Sequence, residues 1–157
     1  MRRITVTKGI GKGQTELSAF DAALQDAGIA NYNLIHLSSI IPEASEIALG
    51  KHLAQKSEFG NKLYVVIAEM RQSKEEKRAC AGLGWVTATD GSGRGLFVEH
   101  IGESESEVQQ RIEQSLTDMT KNRADTYGAI TSEVASIACG GASVCALVAA
   151  VYKSENW

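Results

Sequence analysis

The stretch Asn33-Leu34-Ile35-His36-Leu37-Ser38-Ser39-Ile40-Ile41-Pro42 decides how this chain is read. Its first half alternates as a strand does, with Asn33, Ile35 and Leu37 on one face and Leu34, His36 and Ser38 on the other. It then passes through two adjacent serines to the only proline in 157 residues. Leu37 precedes the pair and Ile40-Ile41 follows it, so the pattern predicts polar groups inside a buried strand. Polar groups in such a place need hydrogen-bonding partners or a chemical task. Adjacent serines offer one. The Ser39 hydroxyl can attack the carbonyl carbon of Ser38 and convert the peptide bond to an ester. Elimination across Ser39 then breaks the chain and leaves a dehydroalanine, whose hydrolysis yields a ketone made from the protein itself.

The pattern Asn33-Leu34-Ile35-x-x-Ser38-Ser39-Ile40-x-Pro42 closely resembles the self-cleavage segment of the pyruvoyl-dependent arginine decarboxylases. Two further segments share the resemblance, Leu17-Ser18-Ala19-Phe20-Asp21-Ala22-Ala23-Leu24 upstream and Gly95-Leu96-Phe97-Val98-Glu99 downstream, so it spans nearly the whole chain. It implies one domain, residues 1–157, cut between Ser38 and Ser39 into a small chain, 1–38, and a larger chain, 39–157, that begins with a pyruvoyl group derived from Ser39. The implied reaction is decarboxylation of L-arginine to agmatine and CO₂ through a Schiff base on that ketone. The implied fold is α+β, a four-layer αββα sandwich, assembled as a homotrimer (alone or as two paired trimers) with sites shared between neighbours. Two alternatives stay open: a pyruvoyl-dependent decarboxylase of another amino acid, or an uncleaved, non-catalytic assembly subunit.

The resemblance also gives roles to single residues. Asp21 contacts the substrate guanidinium; a carboxylate suits that role because the planar cation donates two parallel, charge-assisted hydrogen bonds. On its own Asp21 reads as a surface residue beside the apolar helix face. Asn33 donates its amide to the oxyanion that forms at the attacked carbonyl; read locally, that amide bonds within residues 30–32. Glu99 protonates the carbon that CO₂ leaves. It ends an apolar run, so partial burial is expected, and desolvation favours the acid form a proton donor needs. Read alone, it is a sheet-edge carboxylate paired with a cation. Ser38, the new carboxyl end of the small chain, lines the pocket. His36 is a weaker candidate for a proton shuttle, since alternation puts it on the face opposite Asn33.

Composition fits this frame. With 43% hydrophobic and 22% charged residues the chain suits one globular domain. A net charge of −3 without a basic tract argues against a nucleic-acid partner. Cys80, Cys139 and Cys145 have neither metal-ligand spacing nor an even count, so buried free thiols and a cytoplasmic setting are expected. No apolar run reaches the ~20 residues of a membrane helix, so no membrane partner is expected.

In chain order, residues 3–7 read as a strand and Lys8-Gly9-Ile10-Gly11-Lys12-Gly13 as a glycine-rich loop. Lys12 is followed by glycine rather than Ser or Thr, so the phosphate-cradling pattern fails and a turn into the next helix is expected. Thr15 caps a helix ending at Gly28, with Leu17, Phe20, Leu24 and Ala27 on its buried face. Residues 42–60 read as a connection, 62–68 as a strand buried on both faces, 69–78 as a charged loop, and 79–89 and 94–100 as strands around a turn. Ser104 and Glu107 open a second helix, whose stripe is Val108, Ile112, Leu116 and Met119. Residues 129–139 and 143–152 read as a hairpin turning at Gly140-Gly141.

Overall fold

The structure is a computed structural model and describes residues 1–157. It is a mixed α+β fold of two helices and two sheets. The chain runs β1 (Arg2–Gly13), α1 (Glu16–Ala27), β2 (Asn33–His36), β3 (Ile40–Ile41), β4 (Ser45–Leu49), a 3-10 turn (Lys56–Glu58), β5 (Lys62–Gln72), β6 (Arg78–Thr87), β7 (Gly95–Gly102), α2 (Glu105–Lys121), β8 (Thr131–Ala138) and β9 (Ser143–Glu155). One sheet has five strands in the order β2-β5-β9-β1-β4 and the other has four, β3-β7-β6-β8. Apolar side chains from both, including Ile4, Val66, Leu83, Phe97, Ala146 and Val148, fill the space between the sheets. Helix α1 covers the outer face of the five-stranded sheet and α2 the outer face of the other.

The glycine-rich stretch is strand, not loop. Residues 9, 11 and 13 fall on one side of β1, and a Cβ on any of them would run into the backbone of α1 at residues 18 to 27. Period-two glycines let the helix lie close, so its buried stripe is the small set Ala19, Ala23 and Ala27. Phe20 and Leu24 pack at the margin of that stripe, and Leu17, expected inside, is 68% exposed. Gly28 ends the helix as expected, in the left-handed region at φ 79°. In α2 Val108, Ile112 and Leu116 are buried, as their spacing predicts.

Three other expectations change. Residues 69–72 continue β5, so the exposed turn is shorter than the charge pattern suggested. The connection after Pro42 contains β4, which pairs parallel with β1. The hairpin at Gly140-Gly141 does not exist: β8 pairs with β6 and β9 with β1 and β5, so the glycines carry the chain from one sheet to the other. β9 is the middle strand of its sheet, and residues 144 to 151 are all buried. Its small residues fit a strand packed on both faces. The three cysteines are buried and unpaired. No helix is long and apolar enough to cross a membrane.

Candidate active site

The two serines do not interrupt a buried strand. β2 and β3 are edge strands of different sheets, and the pair bridges them. On one side the Leu37 N–H donates to the Val65 carbonyl at 2.9 Å, still within the β2–β5 ladder; on the other the Phe97 N–H donates to the Ser39 carbonyl at 2.9 Å, on β7. The Ser38–Ser39 peptide therefore lies where the chain leaves one sheet for the other. Ser38 is exposed and Ser39 half-buried.

Ser39 has φ 65°, the left-handed region. For a residue with a Cβ this costs about 1–2 kcal/mol and persists only where neighbours enforce it. The conformation has a chemical consequence. At a helical, negative φ the Cβ of an L residue stands anti to the preceding carbonyl carbon, which keeps a serine hydroxyl away from it. At Ser39 the Cβ stands gauche to the Ser38 carbonyl carbon, so the five-membered ring of an acyl shift can close by rotation about Cα–Cβ. The Ser39 hydroxyl donates to the Glu99 carboxylate, with Oγ 2.8 Å from both Oε1 and Oε2. Nucleophile and proton acceptor are thus already in contact.

Glu99 reaches this place through strand alternation. Leu96 and Val98 pack against α2, whereas Phe97 packs between the sheets. Glu99 shares the side of Phe97. β3 pairs with β7 only at Gly95 and Leu96, and Glu99 beyond them is exposed, contrary to the partial burial expected of it. It borders a cleft of about 310 Å³ lined by His36, Ile67, Ala68, Glu69, Glu99, His100, Ile101 and Arg111. His36, the weaker candidate, therefore opens into the same cleft as Glu99. His100 bonds the Ser115 hydroxyl at 2.7 Å, and burial, followed by nearby Arg111, holds its imidazole below the usual histidine range.

Tyr152 is a functional candidate that the sequence reading missed. Its hydroxyl donates to the Ile40 carbonyl at 2.8 Å and its ring meets Phe97 edge-on at 5.9–6.3 Å spacing along the Trp85–Phe97–Tyr152 row. Burial, then the neighbouring Glu99 charge, pushes its ionisation well above the ordinary tyrosine range, so it remains a donor. The available signal was a tyrosine ending a long apolar run, since such a hydroxyl needs a partner. Downstream, Arg94 pairs with Glu43 at 3.1 Å, Asp90 at 3.0 Å and Asp125 at 2.7 Å. That clamp anchors the chain four residues after Ser39.

Asn33 and Asp21 are not brought to the serines within this chain. Asn33 is exposed at the start of β2, and its Nδ2 donates to the Gly60 carbonyl at 2.8 Å rather than within residues 30–32. It lies five positions before Ser38, about 16 Å of extended chain. Asp21 is exposed on α1 and accepts a hydrogen bond from Gln25 Nε2 at 2.7 Å. A single chain therefore assembles Ser38, Ser39, Glu99 and Tyr152 and leaves the other two candidates apart.

The family model for pyruvoyl-dependent arginine decarboxylase matches residues 3–156. A pyruvoyl-dependent arginine decarboxylase of Halobacterium salinarum is 38% identical over 118 residues, covering 74% of this chain and 72% of that protein. One from Thermoplasma volcanium is 32% identical over 127 residues, covering 80% and 68%. A solved pyruvoyl-dependent histidine decarboxylase aligns with a TM-score of 0.46 at 15% identity, over 67% of this chain and 55% of that one.

Proposed function

Because the chain belongs to the pyruvoyl-dependent arginine decarboxylase family, we propose that it cleaves itself between Ser38 and Ser39 and then converts L-arginine to agmatine and CO₂. The observation that carries the reading is Ser39 in a left-handed conformation with its hydroxyl on the Glu99 carboxylate. Glu99 takes the hydroxyl proton as Oγ bonds to the Ser38 carbonyl carbon, and the amide nitrogen of Ser39 leaves that carbon with a proton. An ester now joins the two residues. Loss of the Ser39 Cα proton expels the Ser38 carboxylate from Cβ and breaks the chain. Water then replaces the nitrogen of the dehydroalanine, and ammonia is released.

The residues present fit a pyruvoyl group at position 39. The carbonyl it would retain is already held by the Phe97 N–H, and Arg94 fixes the chain beyond it. That group supplies an electrophilic ketone, which takes up an amine and accepts electrons as CO₂ departs. Glu99 holds the proton that the α-carbon needs afterwards, and the Ser38 carboxylate would stand beside the new group. Substrate reaches the site through the cleft beside Glu99.

We place Asp21 and Asn33 in the site through a neighbouring subunit of a homotrimer, alone or paired with a second trimer. What supports this is that one subunit leaves both residues exposed and away from Ser39. Asp21 would bind the guanidinium and Asn33 would donate to the oxyanion at the Ser38 carbonyl. Covering by a neighbour would also desolvate Glu99, which one subunit alone does not do. A cytoplasmic setting agrees with three unpaired cysteines.

Intact mass under denaturing conditions tests the reading. Two chains dividing at residues 38 and 39, the larger without an N-terminal amine, are expected. A single chain of unmodified mass would overturn self-cleavage. For Asp21→Ala the expected result is a rise in KM for arginine of about 10- to 100-fold with a small change in kcat, as for loss of a charged hydrogen-bonding partner. An unchanged KM would remove Asp21 from the substrate site.

A further inference from the structure

We propose that Tyr152 is a positioning residue for self-cleavage: its hydroxyl, reaching across from the opposite sheet to the Ile40 carbonyl, holds the left-handed turn at Ser39 in which the acyl shift can begin. The inference rests on the self-cleavage reading.

The chain between Leu37 and Ile40 has to turn from one sheet to the other, and Ser39 adopts the conformation that an L residue avoids. Backbone bonds alone hold it weakly, because β3 is only two residues long. Phe97 fixes the Ser39 carbonyl, and the Ile40 carbonyl one peptide later is fixed by Tyr152. Two consecutive carbonyls with separate anchors define the orientation of the peptide plane between them. That plane, together with the Ser38 side of the turn, which the Leu37 N–H ties to the Val65 carbonyl, sets the φ at which Cβ lies gauche to the Ser38 carbonyl carbon.

Tyr152 suits the task because β9 re-aims its side chain there: it is the extra residue of a β-bulge, between Val151 paired with Val65 and Lys153 paired with Tyr64. β9 is the central strand of the five-stranded sheet, and the Tyr152 ring packs edge-on against the fully buried Phe97. Phe97 in turn is the residue whose N–H holds Ser39. The ring therefore supports one anchor while its hydroxyl provides the other. Burial, then the nearby Glu99 charge, pushes its ionisation above the ordinary tyrosine range, so the hydroxyl keeps the proton it donates. The strain of a left-handed serine and the net worth of one hydrogen bond are of similar size. Loss of the bond is enough to make the reactive conformation a minor one.

The test follows cleavage of freshly synthesised chain on a denaturing gel. Tyr152→Phe keeps the ring and deletes the hydroxyl. Cleavage about tenfold slower than wild type is expected, the equivalent of ~1.4 kcal/mol in the barrier. Hydroxylamine, which cuts the ester, should not speed the variant, since the ester is what fails to form. Stability is read where no cleavage can occur: Ser39→Ala/Tyr152→Phe should melt within about 4 °C of Ser39→Ala. Cleavage of Tyr152→Phe at the wild-type rate would overturn the proposal. So would rapid cutting by hydroxylamine, which would place Tyr152 after ester formation, and so would a much larger fall in melting temperature, which would reduce its role to general stability. If wild-type chain itself never cleaves, the reading on which the inference rests fails with it; cleavage by both chains at one rate sinks the inference alone.

Discussion

With Ser39 replaced by alanine, the chain stays in one piece and makes no agmatine. The variant loses the atom that forms the ester, and no other hydroxyl stands in contact with Glu99: the carboxylate accepts from Ser39 Oγ alone. Neither the exposed Ser38 hydroxyl nor water has the intramolecular placement that a gauche Cβ gives Ser39, and such placement is worth many powers of ten. Alanine also lacks the oxygen from which the ketone is made, so failure to cleave and failure to decarboxylate coincide. Activity should fall by about 10⁴-fold or more, the usual scale for removal of a nucleophile. The fold should survive. Alanine at φ 65° keeps about the same strain as serine, and the pairing of β2 with β5 and of β3 with β7 does not involve the side chain. Intact mass and release of CO₂ from labelled arginine measure the two effects. Normal cleavage, or agmatine formation near the wild-type rate, would end the proposal.

What the sequence made legible was local. The Thr15 and Ser104 caps and the stripe of α2 follow from neighbouring residues; the Ser38-Ser39 pair and Glu99 stood out through the family resemblance, and the structure shows Ser39 and Glu99 in contact. What stayed hidden was which sheet each strand joins. Leu37 and Ile40 look like two halves of one strand, and residues 131–138 and 143–155 look like a hairpin, because alternation and turn residues carry no address for a distant partner. Both breaks turned out to be crossings between sheets. The error at Glu99 has the same origin. An apolar run predicts burial of its end only if the neighbouring strand is long enough, and β3 stops after two residues. The glycines of β1 did carry a readable signal. Glycine at 9, 11 and 13 matches alanine at 19, 23 and 27 in the way a strand face meets a close helix, whereas glycine richness alone had suggested a loop.

Glu99→Gln separates the two tasks assigned to this side chain. Before cleavage it accepts the Ser39 proton; after cleavage it returns a proton to the substrate α-carbon. Glutamine has nearly the same shape, and its amide oxygen can still accept a hydrogen bond from the Ser39 hydroxyl. Ser39 therefore keeps its position, and the left-handed conformation, which is held by backbone anchors on Phe97 and Tyr152, is untouched. The acyl shift should go on more slowly, with water taking the proton, and cleavage should reach completion given time. Decarboxylation has no such substitute. An amide does not release a proton at neutral pH, so kcat for fully cleaved Glu99→Gln should fall by about 10²–10³-fold, the range for loss of a general acid. KM for arginine should change little, because the guanidinium is read elsewhere. The measurement is steady-state turnover on protein whose cleavage has first been checked by mass, so that slow processing is not counted as slow catalysis. Turnover within about threefold of wild type in cleaved Glu99→Gln would refute the proton-donor role and move attention to the histidines of the same cleft, His36 and His100.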